Sequence, residues 1–203
     1  MQPRAFLFDL DGVLVKSKEA WFRSVEEAGR VFRGRPVTRE EFEPTFGQGT
    51  IADVREFGLN CSVEDLDRFY TQAFPRYASS IWVHPDAASL LADLKASGRK
   101  LALVTNTVST LTPVILRAAG LERSFDHLAC ADRVPRPKPA PDLPRSAMAA
   151  LEVAAEESWF VGDSRYDRES ARAASIHFVG LGIDGDARIE DLSELRRLVE
   201  LRT

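Results

Sequence analysis

From Val83 onward, short apolar runs alternate with amphipathic stretches of helical period, and that alternation leaves few folds open to the chain. Residues 86–97 place Ala87, Leu90, Leu91 and Leu94 on one helical face, with Gly98 as the stop. Residues 100–104 read as a strand followed by Thr105-Asn106-Thr107, and residues 109–119 as a helix closed by Gly120. A third strand at 127–131 leads into a proline-rich loop at 133–144 that carries Lys138. Next come a helix at 145–153 and a fourth strand at 158–161, which runs into Gly162-Asp163-Ser164. A helix at 168–174, a fifth strand at 176–181 and a helix at 189–201 complete the series. Such a series predicts a parallel, doubly wound α/β sheet.

The first strand of that sheet lies near the start of the chain. Ala5 to Phe8 is apolar and short enough for a buried strand, and it runs into Asp9-Leu10-Asp11-Gly12. Side chains alternate along a strand, so Asp9 and Asp11 leave its end on one side. Two like charges that close repel, and one takes up a proton unless a cation offsets them. Gly12 permits a tight turn. By itself this stretch fits both a cation-binding pair and an acidic turn.

Residues 16–80 carry helical signals and no strand pattern. Residues 16–32 set Trp21, Phe22, Val25 and Ala28 on one face. Thr38 and Glu41 have the spacing of a capping box, and Pro44 marks a bend or boundary. The loop Gly47-Gln48-Gly49-Thr50 precedes a short helix at 51–57, ended by Gly58. Ser62 and Asp65 start a further helix, running to about residue 77. The chain therefore divides into a core of residues 1–15 and 81–203 and a helical insertion, 16–80, placed directly after the first strand.

Composition narrows the function. A net charge of −4 gives no nucleic-acid footprint, and no apolar run is long enough to span a bilayer. Cys61 and Cys130 follow no spacing rule and read as reduced thiols. The first strand begins within a few residues of Met1, so no secretory leader is expected and a cytoplasmic location is.

In doubly wound sheets, ligands bind beyond the carboxyl ends of the strands. The residues that follow each strand are Asp9 and Asp11, then Thr105 and Asn106, then Asp132 with Lys138 beyond it, then Asp163 and Asp167. This is a carboxylate cluster with one hydroxyl and one ammonium group. Oxygen-only donors suit Mg²⁺, which leans on carboxylates and a phosphate. Lys138 and Thr105 suit the oxygens of that phosphate. A carboxylate can also attack phosphorus and form an acyl phosphate.

On these residues the chain resembles the phosphatase branch of the haloacid dehalogenase superfamily. Four motifs of that superfamily occur in order: Asp9-Leu10-Asp11-Gly12-Val13, Leu103-Val104-Thr105-Asn106, Lys138 within Arg136-Pro137-Lys138-Pro139, and Val161-Gly162-Asp163-Ser164 with Asp167. The resemblance covers nearly the whole chain. It implies a Rossmann-like core with an inserted all-helical cap domain, and a Mg²⁺-dependent phosphomonoester hydrolase acting on a small phosphorylated metabolite. Asp9 would be the nucleophile and Asp11 the general acid and base. Asp9, the Asp11 carbonyl and Asp163 would hold Mg²⁺, with Asp167 beside them to orient Lys138 or a metal-bound water. Thr105, Asn106 and Lys138 would hold the phosphoryl group, and Gln48 and Thr50 in the cap loop are candidate substrate contacts. The partners expected are a small metabolite, with neither nucleic acid nor membrane, and the assembly expected is a monomer or homodimer. Two positions depart from the pattern: Lys16 stands where an acidic residue is usual, and Ser175 where a helix usually ends in Gly.

Other readings exist for several of these residues. Thr105 can cap the following helix, and Asp167 suits a helix N-terminus. Asp132 reads as structural, and His84, His127 and His177 lack metal-ligand spacing. Trp21, Phe22, Phe69 and Phe74 read as the apolar core of the insertion. Among functions, a phosphosugar mutase would call for a basic residue in the loop at 47–50, which has none, although Arg55 is near. A dehalogenase would not carry an acid/base Asp at position 11. A non-catalytic phospho-receiver would lack the helical insertion.

Overall fold

A computed structural model describes residues 2–199. The chain opens with β1 (Ala5–Phe8) and β2 (Val15–Lys16). Four helices follow, α1 (Lys18–Arg33), α2 (Arg39–Phe42), α3 (Thr50–Glu56) and α4 (Val63–Ala73), then a 3₁₀ segment, Phe74–Ser80. The chain returns through β3 (Trp82–Val83), α5 (Ala87–Ala96), β4 (Lys100–Thr105), α6 (Thr112–Ala118) and β5 (His127–Cys130). It continues with α7 (Asp142–Leu151), β6 (Ser158–Gly162), α8 (Arg165–Ala173), β7 (His177–Leu181), β8 (Ala187–Ile189) and α9 (Leu195–Leu198).

Six of these strands form one parallel sheet in the order β5-β4-β1-β6-β7-β8. The chain builds outward from β1 in one direction through β4 and β5, and in the other through β6, β7 and β8. A ligand cleft forms at the carboxyl ends where that direction reverses. Phe8 lies level with Leu103 on one side and Val161 on the other. This register brings the residues just past β1, β4 and β6 into one place.

The alternation of side chains along β1 explains both helix layers. Phe6 and Phe8 join Leu101, Leu103 and Val161 in a cluster with Leu90 and Leu91 of α5. Ala5 and Leu7 face the other way, with Ala102, Phe160 and Met148 of α7. Strands buried on both faces read as unbroken apolar runs, which is why Ala5 to Phe8 showed no alternation.

The insertion is helical, as expected. Its Thr38 capping box is formed, and the Ser62 hydroxyl accepts from the Asp65 N–H. Trp21 packs against Tyr70 and Phe74, at ring separations of 5.4 and 4.8 Å, and Phe22 against Phe42 at 5.6 Å. The insertion joins the core through a two-stranded antiparallel ribbon in which Lys16 pairs with Trp82. The Lys16 ammonium lies 4.7 Å from the Trp82 ring centre, a cation–π contact across the ribbon. Two-residue strands carry no periodic signal, so the sequence did not reveal this ribbon.

Four further expectations are corrected. The helix expected at 145–153 begins at Asp142, because Pro144 sits in its first turn, where no N–H is needed. A sixth strand, β8, is added at the edge by backbone pairing of a short stretch containing Arg188. The helix expected at 189–201 is a 3₁₀ turn, Leu192–Glu194, and the short α9, with residues 200 and 201 outside the described residues. Ser175 keeps the turn after α8 by adopting φ 59°, a left-handed conformation that costs a side-chain-bearing residue energy. Among the described residues, no helix is long and apolar enough to cross a membrane.

Candidate active site

Beyond the carboxyl ends of β1, β4 and β6 the core meets the insertion across a cleft. On the core side the central group is Lys138, 6% exposed. Its Nζ donates to Asp9 Oδ1 and Asp167 Oδ1, both at 2.7 Å, and to the Val104 carbonyl at 3.1 Å. Burial works against the ammonium, but Asp167 and Asp9 outweigh it and raise its pKa above the ordinary lysine value. The lysine backbone is held as firmly: its N–H donates to Asn106 Oδ1 at 2.9 Å, and Asn106 Nδ2 donates to its carbonyl at 3.0 Å. Asn106 Nδ2 also reaches the Gly47 carbonyl at 3.1 Å, so one side chain ties the lysine loop to the insertion.

The carboxylates differ in their surroundings. Asp9 is buried, and that burial, with Asp167 adding to it and Lys138 opposing, raises its pKa well above the usual range. Burial also pushes Asp11 up to about 6, against the Ser17 hydroxyl, which donates to Asp11 Oδ1. Asp163 is pushed up to about 7 by burial and by Asp167, with Lys138 opposing. Asp167 is wholly buried, and both its oxygens are engaged: Oδ1 by Lys138, Oδ2 by the Ser164 N–H and hydroxyl. Gly12 makes this crowding possible, since a Cβ there would lie 1.9 Å from Asp163 Oδ2.

Acidic oxygens of Asp9, Asp163 and Asp167 lie within 4.8 Å of one another. An oxygen-only set of this kind fits a hard divalent cation. Asp163, whose side chain is bonded by no other residue among the described ones, and the Asp9 oxygen not bonded to Lys138 are the available donors. Asp167 belongs to the same cluster, and its oxygens also accept from Lys138 and Ser164.

Thr105 is buried at the end of β4 and lines the cleft, its hydroxyl accepting from the Thr107 N–H at 3.1 Å rather than capping a helix. Thr50 lines the cleft from the insertion, its hydroxyl donating to Asp67 at 2.6 Å. Gln48 does not line it; its amide donates back to the Pro44 carbonyl at 3.3 Å, and the flanking Gly47 and Gly49 form the wall. Asp132 accepts from the N–H and hydroxyl of Ser109, a structural role as expected. Sequence reasoning missed Asp53 and Ser164 and read Trp21 as core alone, yet all three line the cleft. The only available hint was that Asp53 follows Thr50 by three residues on a helix, one turn along the same face.

A buried lysine between two carboxylates, ringed by further acids at the switch point of a parallel sheet, is an arrangement suited to a phosphate group and a hard cation. The family model described as haloacid dehalogenase-like hydrolase matches residues 6–181, and the chain belongs to that family, in its phosphatase branch. Phosphoglycolate phosphatase 1 of Pseudomonas aeruginosa is 31% identical over 189 residues, covering 88% of this chain and 69% of the relative. The crystal structure of CbbY from Rhodobacter sphaeroides in complex with phosphate superposes with a TM-score of 0.86 at 25% identity, covering 96% of both chains. A β-phosphoglucomutase from Clostridium difficile shares the fold, with a TM-score of 0.79 at 19% identity over 95% of this chain and 93% of that one.

Proposed function

We propose that this chain is a Mg²⁺-dependent phosphomonoester hydrolase of a small phosphorylated metabolite, working through an aspartyl phosphate on Asp9. The observation that carries the reading is the Lys138 ammonium fixed between Asp9 and Asp167 at the mouth of β1. Asp9 attacks phosphorus while Lys138, the Thr105 hydroxyl and backbone at Asn106 hold the phosphoryl oxygens. Asp11 gives its proton to the leaving alcohol oxygen, and a pKa of about 6 keeps the acid form accessible near neutrality. The same carboxylate then takes a proton from water, which attacks phosphorus, releases phosphate and regenerates Asp9. Ser17 holds Asp11 in place for both steps. A divalent cation held by Asp9, Asp163 and the Asp11 carbonyl would neutralise charge on the transferring group.

Residues 16–80 would form the cap domain and residues 1–15 and 81–203 the catalytic core, hinged at the β2–β3 ribbon. The unpaired Cys61 and Cys130 support a reducing, cytoplasmic compartment. Asp9→Asn should abolish hydrolysis of p-nitrophenyl phosphate with the circular dichroism spectrum unchanged, and chelator should abolish it in the wild type until Mg²⁺ is restored. Retained activity in either case refutes the mechanism.

A further inference from the structure

Asp53 lies on α3 and lines the same cleft as Asp9, from the insertion side. Its Oδ2 accepts from the Tyr70 hydroxyl at 3.0 Å, and Tyr70 is fixed in the insertion core, edge-on to Trp21. Its other oxygen has no hydrogen-bond partner among the described residues. The surrounding walls are apolar and aromatic, with Trp21, Val25, Phe42 and Phe46 on the insertion and Val108 on the core. Thr50 spends its proton on Asp67, so its oxygen faces a ligand as an acceptor. On this side, then, the cleft offers acceptors and apolar surface.

Among the lining residues the cations come down to one, Lys138, and it is committed to Asp9 and Asp167. Lys18 on α1 and Arg55 on α3 ion-pair with Glu43 and Glu56 and do not line the cleft. A leaving group with its own carboxylate or second phosphate would be placed against Asp53, in apolar surroundings, with no counter-charge. A hydroxyl or ammonium would instead satisfy the unpartnered oxygen. Resting on the phosphatase reading, we infer that the insertion selects phosphate esters whose alcohol part carries a hydroxyl or ammonium donor and no second anionic group, with Asp53 the specificity-determining residue. Burial, opposed by the Tyr70 hydroxyl and reinforced by Asp67, pushes the Asp53 carboxyl up to about 7. A carboxylate that ionises so reluctantly gains from any donor that stabilises its charge.

The test is kcat/KM at pH 8 with Mg²⁺ for ethanolamine phosphate, glycerol phosphate, phosphoglycolate and pyrophosphate, in the wild type and in Asp53→Asn. A hydrogen bond to a charged group supports a preference of about tenfold or more for the first two substrates. Asp53→Asn should narrow the gap by about the same factor, chiefly through a higher KM for ethanolamine phosphate. A wild type that prefers phosphoglycolate or pyrophosphate overturns the inference while leaving the phosphatase reading intact, and needs no variant to fold. An unchanged ranking in a folded Asp53→Asn variant overturns the role of Asp53. Release of phosphate from none of the four, nor from p-nitrophenyl phosphate, brings down the phosphatase reading and the inference together.

Discussion

Replacing Lys138 with Met tests how the buried charges hold the core together. The side chain is 6% exposed and contacts Asp9 and Asp167 at 2.7 Å, and Met has similar length without the charge. The substitution leaves the carboxylates of Asp9, Asp163 and Asp167 crowded within 4.8 Å of one another with no cation among them. Breaking a buried pair by removing one partner costs about 3–5 kcal/mol. In a chain of this size each kcal/mol lowers Tm by about 2–4 °C, so a fall of about 6–20 °C is expected at pH 8 in chelator. The deficit should depend on pH in a definite direction. Asp9 and Asp163 already have pKa values raised by burial, and loss of Lys138 raises them further. The folded state then binds more protons than the unfolded chain, whose carboxylates titrate near pH 4, so its stability rises as pH falls through about 7. Urea unfolding followed by circular dichroism, wild type against variant at pH 8 and pH 5, measures this. A deficit below about 1 kcal/mol, the worth of an exposed pair, or one that does not shrink at pH 5, refutes the reasoning.

Two further outcomes follow from single contacts. Ser17→Ala removes the donor that holds the Asp11 carboxylate, so its pKa should climb above about 6. A lost hydrogen bond to a charged group moves the acid limb of the kcat–pH profile upward by about one unit, and an unmoved limb would separate Asp11 from the water-activating step. Ser175→Gly relieves the left-handed backbone after α8 and should raise stability by about 1 kcal/mol in urea unfolding, with kcat unaltered; a destabilised variant would show that the Ser175 side chain makes a compensating contact.

The architecture was legible in the sequence because it rests on local signals. The run from Ala5 to Phe8, the helical face of Leu90, Leu91 and Leu94, and the caps at Thr38 and Ser62 each announce themselves within a dozen residues. The carboxylates and Lys138 were legible for a different reason: a parallel sheet carries whatever follows its strands to one edge, so order along the chain maps onto position in space. Short pairings that depend on a distant partner were not legible, as β8 and the Lys16–Trp82 ribbon show. Nor were the individual bonds of the acids. Asp9, Asp163 and Asp167 look alike in sequence, and only packing decides that Asp167 spends both oxygens on Lys138 and Ser164 while Asp163 faces the cleft. The loop at 47–50 makes the same point, with Gln48 turned back on Pro44 and Asp53, three residues beyond Thr50, facing the cleft instead. The sequence by itself thus determined the sheet, the helical insertion and which acidic and basic side chains gather at one edge, since periodicity and chain order encode these. Tertiary structure alone decided which oxygen meets which donor and which insertion residue faces the cleft, because those follow from the docking of helices far apart in the chain.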